Sequence, residues 1–199
     1  MPLISGMILS GGRATRMGGV DKGLVNLHGK PLIAHVIARL VPQVNELFIN
    51  ANRALDQYKN FGYPVFADEN QNFSGPLAGF QLALKHASHD YVCIVPCDSP
   101  FLPSNLVQKL FAALMENDAD IAVAASDQHS HPVFCLCKKN VLPSLEGFIN
   151  SGQAKVSDWQ KSLPYVEVDF TESNDNGATK AFLNLNTLDD LALLETTKN

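Results

Sequence analysis

The stretch Ile4-Ser5-Gly6-Met7-Ile8-Leu9-Ser10-Gly11-Gly12-Arg13-Ala14-Thr15-Arg16-Met17-Gly18-Gly19-Val20-Asp21-Lys22-Gly23 decides how this chain is read. Ile4 to Leu9 is a short apolar run that stops at glycines, the pattern of a buried strand feeding a loop. Glycines let backbone approach a ligand closely and aim N–H groups at it. Two arginines and a lysine in the same loop add the charge that holds a triphosphate. The loop is not a Walker A motif, because no Gly-Lys-Ser/Thr follows the glycines. It is not a dinucleotide fingerprint, because Gly-x-Gly-x-x-Gly is absent. A merely solvated surface loop is the alternative. Five glycines and three cations directly after a strand disfavour it. Lys22 is the expected catalytic cation, since a flexible ammonium can follow charge from the α-phosphate to leaving pyrophosphate. Arg16 ranks second, and Arg13 can simply cover the loop.

Outward from this loop, strand-like and helix-like segments alternate. Glu46 to Asn50, Pro64 to Phe66, Tyr91 to Val95, Ile121 to Ala125, Pro132 to Cys137 and Tyr165 to Phe170 read as strands. Residues 182–185 read as a last short strand. Pro31 to Val41, Leu77 to Ala87, Leu142 to Ile149 and Val156 to Ser162 read as helices. Ser104 is expected to cap a helix reaching about Met115, and Thr187 a final one. The alternation predicts an α/β fold with a mostly parallel sheet flanked by helices. Ligands of such sheets sit beyond the carboxyl ends of the strands. Three unusual stretches follow strands: residues 10–19, Asn50 to Arg53, and Pro96 to Pro100. One domain is expected over residues 1–199, its N-terminal part taking nucleotide and metal and its C-terminal part shaping an acceptor site.

Composition narrows the classes. The 199 residues are 46% hydrophobic and 18% charged, ordinary for a water-soluble domain. Nothing reads as a secretory signal, and no apolar run nears the roughly 18 residues of a membrane span. A cytoplasmic location is the default. The net charge of −5 argues against nucleic acid or an acidic membrane as partner. Residues 1–30 nevertheless hold four cations against one carboxylate, which suits one small anionic ligand. Cys93, Cys97, Cys135 and Cys137 form no Cys-x-x-Cys pair and are expected to be structural thiols. Cys135 and Cys137 should face one side of their strand.

Val95-Pro96-Cys97-Asp98-Ser99-Pro100 ends a buried strand with a carboxylate between two prolines, which stiffen the turn. Asp98 there, across from a basic phosphate loop, suits Mg²⁺, which takes one or two carboxylates plus substrate phosphates. A turn cap is the bland alternative. Asp68 binds a sugar or base, or caps a turn. Asn50 and Asn52 can address a base edge or merely occupy turns. Gly75 to Gly79 opens a helix whose free N–H groups can face a nucleotide. His131, before Pro132, reads as a plain loop histidine. Asn184 and Asn186 share a face around Leu185 and can reach an acceptor or join a cap with Thr187.

These blocks, in this order, resemble the molybdenum cofactor guanylyltransferases. The resemblance rests on Leu9-Ser10-Gly11-Gly12 with Arg16-Met17-Gly18-Gly19-Val20-Asp21-Lys22-Gly23-Leu24, then Gly29-Lys30-Pro31-Leu32 and Asn50-Ala51-Asn52-Arg53. It continues through Gly75-Pro76-Leu77-Ala78-Gly79, Pro96-Cys97-Asp98, His131-Pro132 and Asn184-Leu185-Asn186-Thr187. It spans nearly the whole chain. The first block and Pro-Cys-Asp are shared with wider sugar and alcohol nucleotidyltransferases, whereas Arg-Met-Gly-Gly-x-Asp-Lys and Asn-x-Asn-Arg are more particular. The resemblance implies a Rossmann-like nucleotidyltransferase fold, GTP as donor, molybdopterin as acceptor and Mg²⁺ as cofactor. By position it implies GTP-binding at Leu9, Ser10, Gly11, Lys22, Asn50, Asp68 and Asp98, with Asp98 taking the metal. The readings of the residues above add Gly12 and Gly79 to the nucleotide site, Lys22, Asp98 and Arg16 as catalytic residues, and Asn184 and Asn186 as acceptor contacts. Molybdoenzymes or their chaperones are the partners that would receive the product. Ser10 stands where alanine is commoner, a change that a backbone contact tolerates. Residues 140–174 match none of these motifs. CTP or a sugar phosphate as substrate, and a non-catalytic carrier of GTP or finished cofactor, are the competing expectations.

Overall fold

A computed structural model describes residues 2–10, 21–68, 75–171 and 181–183. Its strands are β1 (Ile4–Leu9), β2 (Asn26–Leu27), β3 (Lys30–Pro31), β4 (Glu46–Asn50), β5 (Val65–Phe66), β6 (Tyr91–Pro96), β7 (Ile121–Ser126), β8 (His129–Lys138) and β9 (Tyr165–Asp169). Helices are α1 (Leu32–Leu40), α2 (Leu55–Lys59), α3 (Pro76–His86), α4 (Leu106–Glu116), α5 (Leu142–Asn150) and α6 (Val156–Gln160). Seven strands form one sheet in the order β5-β4-β1-β6-β8-β7-β9, and β2 and β3 form a separate hairpin. The central sheet is parallel except for β8, which runs against both β6 and β7.

Alternation along each strand builds a core on either face. Ile4, Ile8, Cys93, Val95, Ala122, Ala124, Phe134 and Leu136 pack with Ile33 and Val36 of α1 and Leu106 and Leu110 of α4. Their neighbours Met7, Val92, Ile94, Ile121, Val123, Cys135 and Cys137 face the other way, onto Phe80 of α3, Leu145 of α5 and Trp159 of α6. Helices thus cover both faces, which is why the inner strands read as unbroken apolar runs. Cys135 and Cys137 do share a face, and all four thiols are free and buried. No helix among the described residues is long and apolar enough to cross a membrane.

Several boundaries differ from the sequence expectation. Ser104 is not the cap of α4: Asn105 holds that position without a side-chain bond. The open N–H of Val107 instead donates to Oε1 of Gln43 at 3.0 Å, a partner 64 residues away. The same Gln43 donates to the carbonyls of Arg39 and Pro103, so one side chain joins the end of α1 to the start of α4. Helix α2 and the β2–β3 hairpin, turning at His28 (φ 50°) and Gly29 (φ 76°), were not foreseen. Phe182 and Leu183 are not in a strand. The Phe182 ring instead packs among His131, Phe134 and Phe170. Thr187 and Leu185 fall outside the described residues.

Candidate active site

From β1 the chain moves to β4 and β5 on one side, then returns to lay β6 on the other side of β1. This reversal opens a crevice at the carboxyl ends of β1 and β6, where doubly wound sheets take ligands. Ser10, Asn50 and the 96–100 turn all lie at this rim, each at the end of its strand. The rim is stitched by backbone bonds. Ser10 N donates to Asn50 O at 2.7 Å, and Cys97 N to Leu9 O at 3.0 Å.

Lys22 opens a single 3-10 turn (Lys22–Leu24) and donates its ammonium to Oδ2 of Asp98. Asp98 is 8% exposed, and its Oδ1 is buried with no hydrogen-bond partner among the described residues. An unpaired buried acceptor of this kind costs on the order of 1–3 kcal/mol, more when charged. Such an oxygen fits a cation or a hydrogen-bond donor. Asp21 repeats the pattern: Oδ1 accepts from the Tyr58 hydroxyl at 2.5 Å, while Oδ2 is buried with no hydrogen-bond partner among the described residues. Burial first, with Cys97 and Asp21 adding to it, pushes the Tyr58 phenol up, so it remains a donor. Burial, then the charge of Asp98, pushes the Cys97 thiol up to about 12. Cys97 therefore packs as a neutral thiol and supplies no nucleophile. A Cβ on Gly23 would lie 2.6 Å from the Tyr58 hydroxyl and 3.2 Å from the Cys97 sulfur, so only glycine lets the turn seat there.

A second group lies at the ends of β4 and β5. Asn50 Nδ2 donates to Oδ1 of Asp68 at 2.8 Å, and Asn52 Nδ2 to Oδ2 at 2.6 Å. Asp68 N donates back to Asn52 Oδ1 at 2.8 Å. Asp68 is thus fixed by two amides rather than left as an isolated turn cap. The start of α3 presses on the same corner: a Cβ at Gly79 would lie 2.6 Å from Leu9 Cδ2 and 2.9 Å from Asn50 Oδ1.

Of the residues expected at the site, Leu9, Ser10, Lys22, Asn50, Asp68, Gly79 and Asp98 lie on this rim in two adjoining groups. Gly11, Gly12, Arg13, Arg16, Asn184 and Asn186 lie outside the described residues. Among the described residues no three His, Cys, Asp or Glu side chains cluster as a metal cage. His131 is a correction: it is not in a loop but within β8, half-buried and bonded to Ser126. Asp21 and Tyr58 were missed. Asp21 stood in the charge count and in the Arg-Met-Gly-Gly-x-Asp-Lys motif without a role of its own, and Tyr58 sits on a five-residue helix with no motif to mark it.

The MobA-like NTP transferase domain family matches residues 6–166. The molybdenum cofactor guanylyltransferase of Bordetella petrii is 45% identical over 195 residues, which cover 96% of this chain and 96% of that protein. The protein of the same name in Shewanella loihica is 43% identical over 186 residues, 94% and 92% of the two chains. The crystal structure of molybdopterin-guanine dinucleotide biosynthesis protein A from Archaeoglobus fulgidus has the same fold. Its TM-score is 0.80 over 96% of this chain and 97% of that one, at 22% identity. The switch-point crevice and this full-length similarity agree, and the chain is a nucleotidyltransferase belonging to the MobA-like NTP transferase domain family.

Proposed function

We propose that this chain transfers GMP from GTP to the molybdopterin form of the molybdenum cofactor, releasing pyrophosphate, in the cytoplasm. The similarity to molybdenum cofactor guanylyltransferases over nearly the whole chain supports the substrates. The observation that carries the chemistry is the Lys22–Asp98 pair at the β1–β6 reversal, with one Asp98 oxygen buried and without a hydrogen-bond partner among the described residues. That oxygen fits a hard divalent cation, and Asp98 is the residue that would hold Mg²⁺. When bound, Mg²⁺ neutralises the phosphate charge of GTP. One carboxylate suffices, since Mg²⁺ draws its other ligands from phosphates and water.

Lys22 carries the transfer step. Its ammonium is within reach of Asp98 and can pass to phosphate oxygens as charge moves to the leaving pyrophosphate. The acceptor phosphate is already ionised at neutral pH, so no general base is needed, in keeping with the neutral Cys97 thiol. Leu9, Ser10, Gly11, Gly12 and Gly79 supply close backbone approach to GTP. Asn50 and Asp68, fixed against each other, address its nucleoside end. Arg16 adds charge at the phosphates. The N-terminal part of the single domain thus takes GTP and metal, and the C-terminal part, through Asn184 and Asn186, shapes the acceptor site. The test is to incubate the protein with GTP or CTP, Mg²⁺ and the molybdopterin form of the cofactor and weigh the product. A GMP adduct with stoichiometric pyrophosphate is expected. A CMP adduct, or bound GTP without turnover, would overturn the assignment.

A further inference from the structure

Tyr58 is fully buried, yet its hydroxyl reaches a turn 37 residues away in the chain. It stands on α2, the short helix that follows the corner where Asn50 and Asn52 hold Asp68. Helix α2 starts from Ala54 in the left-handed conformation (φ 49°). Side chains seldom adopt that backbone state, and it persists where surrounding contacts fix it. A ring that only filled the core would be served equally by phenylalanine. A buried hydroxyl is otherwise a cost, and it is kept where it has a partner.

The partner is the turn that carries Lys22. That turn is a single 3-10 element, closed by Leu24 N to Asp21 O at 2.9 Å and Val25 N to Lys22 O at 3.2 Å. One such turn is a weak local structure. Asp21 stands at its N-cap position, where a carboxylate ordinarily accepts from the turn's own N–H groups. It makes no such bond. Its Oδ1 accepts from the Tyr58 hydroxyl at 2.5 Å instead. Gly23, on the other side of Lys22, closes on the same point: a Cβ there would lie 2.6 Å from that hydroxyl and 3.2 Å from the Cys97 sulfur. Both neighbours of Lys22 therefore bear on one phenol. Cys97 leads directly into Asp98, which accepts the Lys22 ammonium.

We propose that Tyr58 is a positioning residue of the transfer step: its hydroxyl, bonded to Asp21 and packed against Gly23, holds the turn so that the Lys22 ammonium meets Asp98 and the reacting phosphate. The hydroxyl is spent on Asp21, so Tyr58 acts through Lys22 and not on substrate. This rests on the role given to Lys22 in the proposed function.

The test is the single-turnover rate of GMP transfer by the full chain at saturating GTP, acceptor and Mg²⁺. Tyr58→Phe keeps the ring and removes the hydroxyl. It is expected to slow transfer roughly tenfold or more, the scale of a lost hydrogen bond to a charged group. The same substitution made in Lys22→Ala should change the remaining rate by less than about twofold, because the group it positions is already gone. A packing defect alone would slow both backgrounds equally. Asp21→Asn, which keeps an oxygen to accept from Tyr58, should retain more of the rate than Asp21→Ala. Should Tyr58→Phe not fold, Asp21→Ala measured in the same two backgrounds takes its place. A Tyr58→Phe rate within about twofold of the unmodified one, an equal fall in both backgrounds, or an Asp21→Asn as slow as Asp21→Ala overturns the inference while leaving GMP transfer intact. Absence of GMP transfer by the unmodified protein overturns the proposed function and this inference with it.

Discussion

Lys22 donates its ammonium to Asp98 Oδ2 across 76 residues of chain, joining the loop after β1 to the turn after β6. Asp98 Oδ1 is buried with no hydrogen-bond partner among the described residues. The pair therefore leaves a carboxylate oxygen that a divalent ion can take, which suits a triphosphate grip. Replacing Lys22 by alanine should lower GMP transfer on the order of 100-fold or more, since it removes a charge that acts on the transition state. Lys22→Arg should recover only part, because a planar guanidinium does not substitute for a compact ammonium. Pyrophosphate release, with circular dichroism to confirm an intact fold, checks both.

Gly79 places the start of α3 against Leu9 and Asn50. Gly79→Ala would put a methyl 2.6 Å from Leu9 Cδ2 and 2.9 Å from Asn50 Oδ1. Leu9 can rotate away, but Asn50 is tied to Asp68 and Phe66. The expected outcome is a GTP KM raised about tenfold and a stability loss of about 1–3 kcal/mol, the scale of overpacking. Fluorescence titration with a GTP analogue and thermal unfolding read the two effects.

How far the sequence went is visible in these two corners. The strand ends were legible because apolar runs stop at glycine, proline and asparagine, so the rim could be placed from period and composition, whereas Leu9 and Ser10 were named only through the family resemblance. The pairing of Asn50 with Asp68 was not, since it depends on the register of β4 with β5. The Gln43 cap of α4 was hidden for the same reason: its partner is distant in sequence, and local propensity pointed to Ser104 instead. His131 looked like a loop residue because a histidine–proline step marks turns. A ten-residue strand with a bulge overrode that local signal.

At the opposite rim, Glu46 fastens β4 to β1 and to the turn before β6. It accepts from the Ser5 hydroxyl at 2.5 Å, from Ser88 N at 2.7 Å and from the Ser88 hydroxyl at 2.9 Å. Burial would raise its pKa, but these bonds and the charge of His89 outweigh it and lower the value from 4.5. A depressed folded pKa stabilises the fold above the unfolded value and loses that contribution as pH falls through the folded one. The stability advantage of the unmodified protein over Glu46→Gln should therefore shrink between about pH 5 and about pH 3. Thermal unfolding across that range checks it, and the GTP KM of Glu46→Gln at neutral pH should be unchanged.

The central claim is that Asp98 brings the divalent ion to the triphosphate held by Lys22. It is tested most directly by the rate of pyrophosphate release from GTP and acceptor, titrated with Mg²⁺ in the unmodified protein and in Asp98→Asn, whose side chain keeps the shape and removes the charge. The unmodified protein should require Mg²⁺, and Asp98→Asn should be slower by at least about 100-fold at every concentration. An Asp98→Asn enzyme within a few-fold of the unmodified rate would contradict the account.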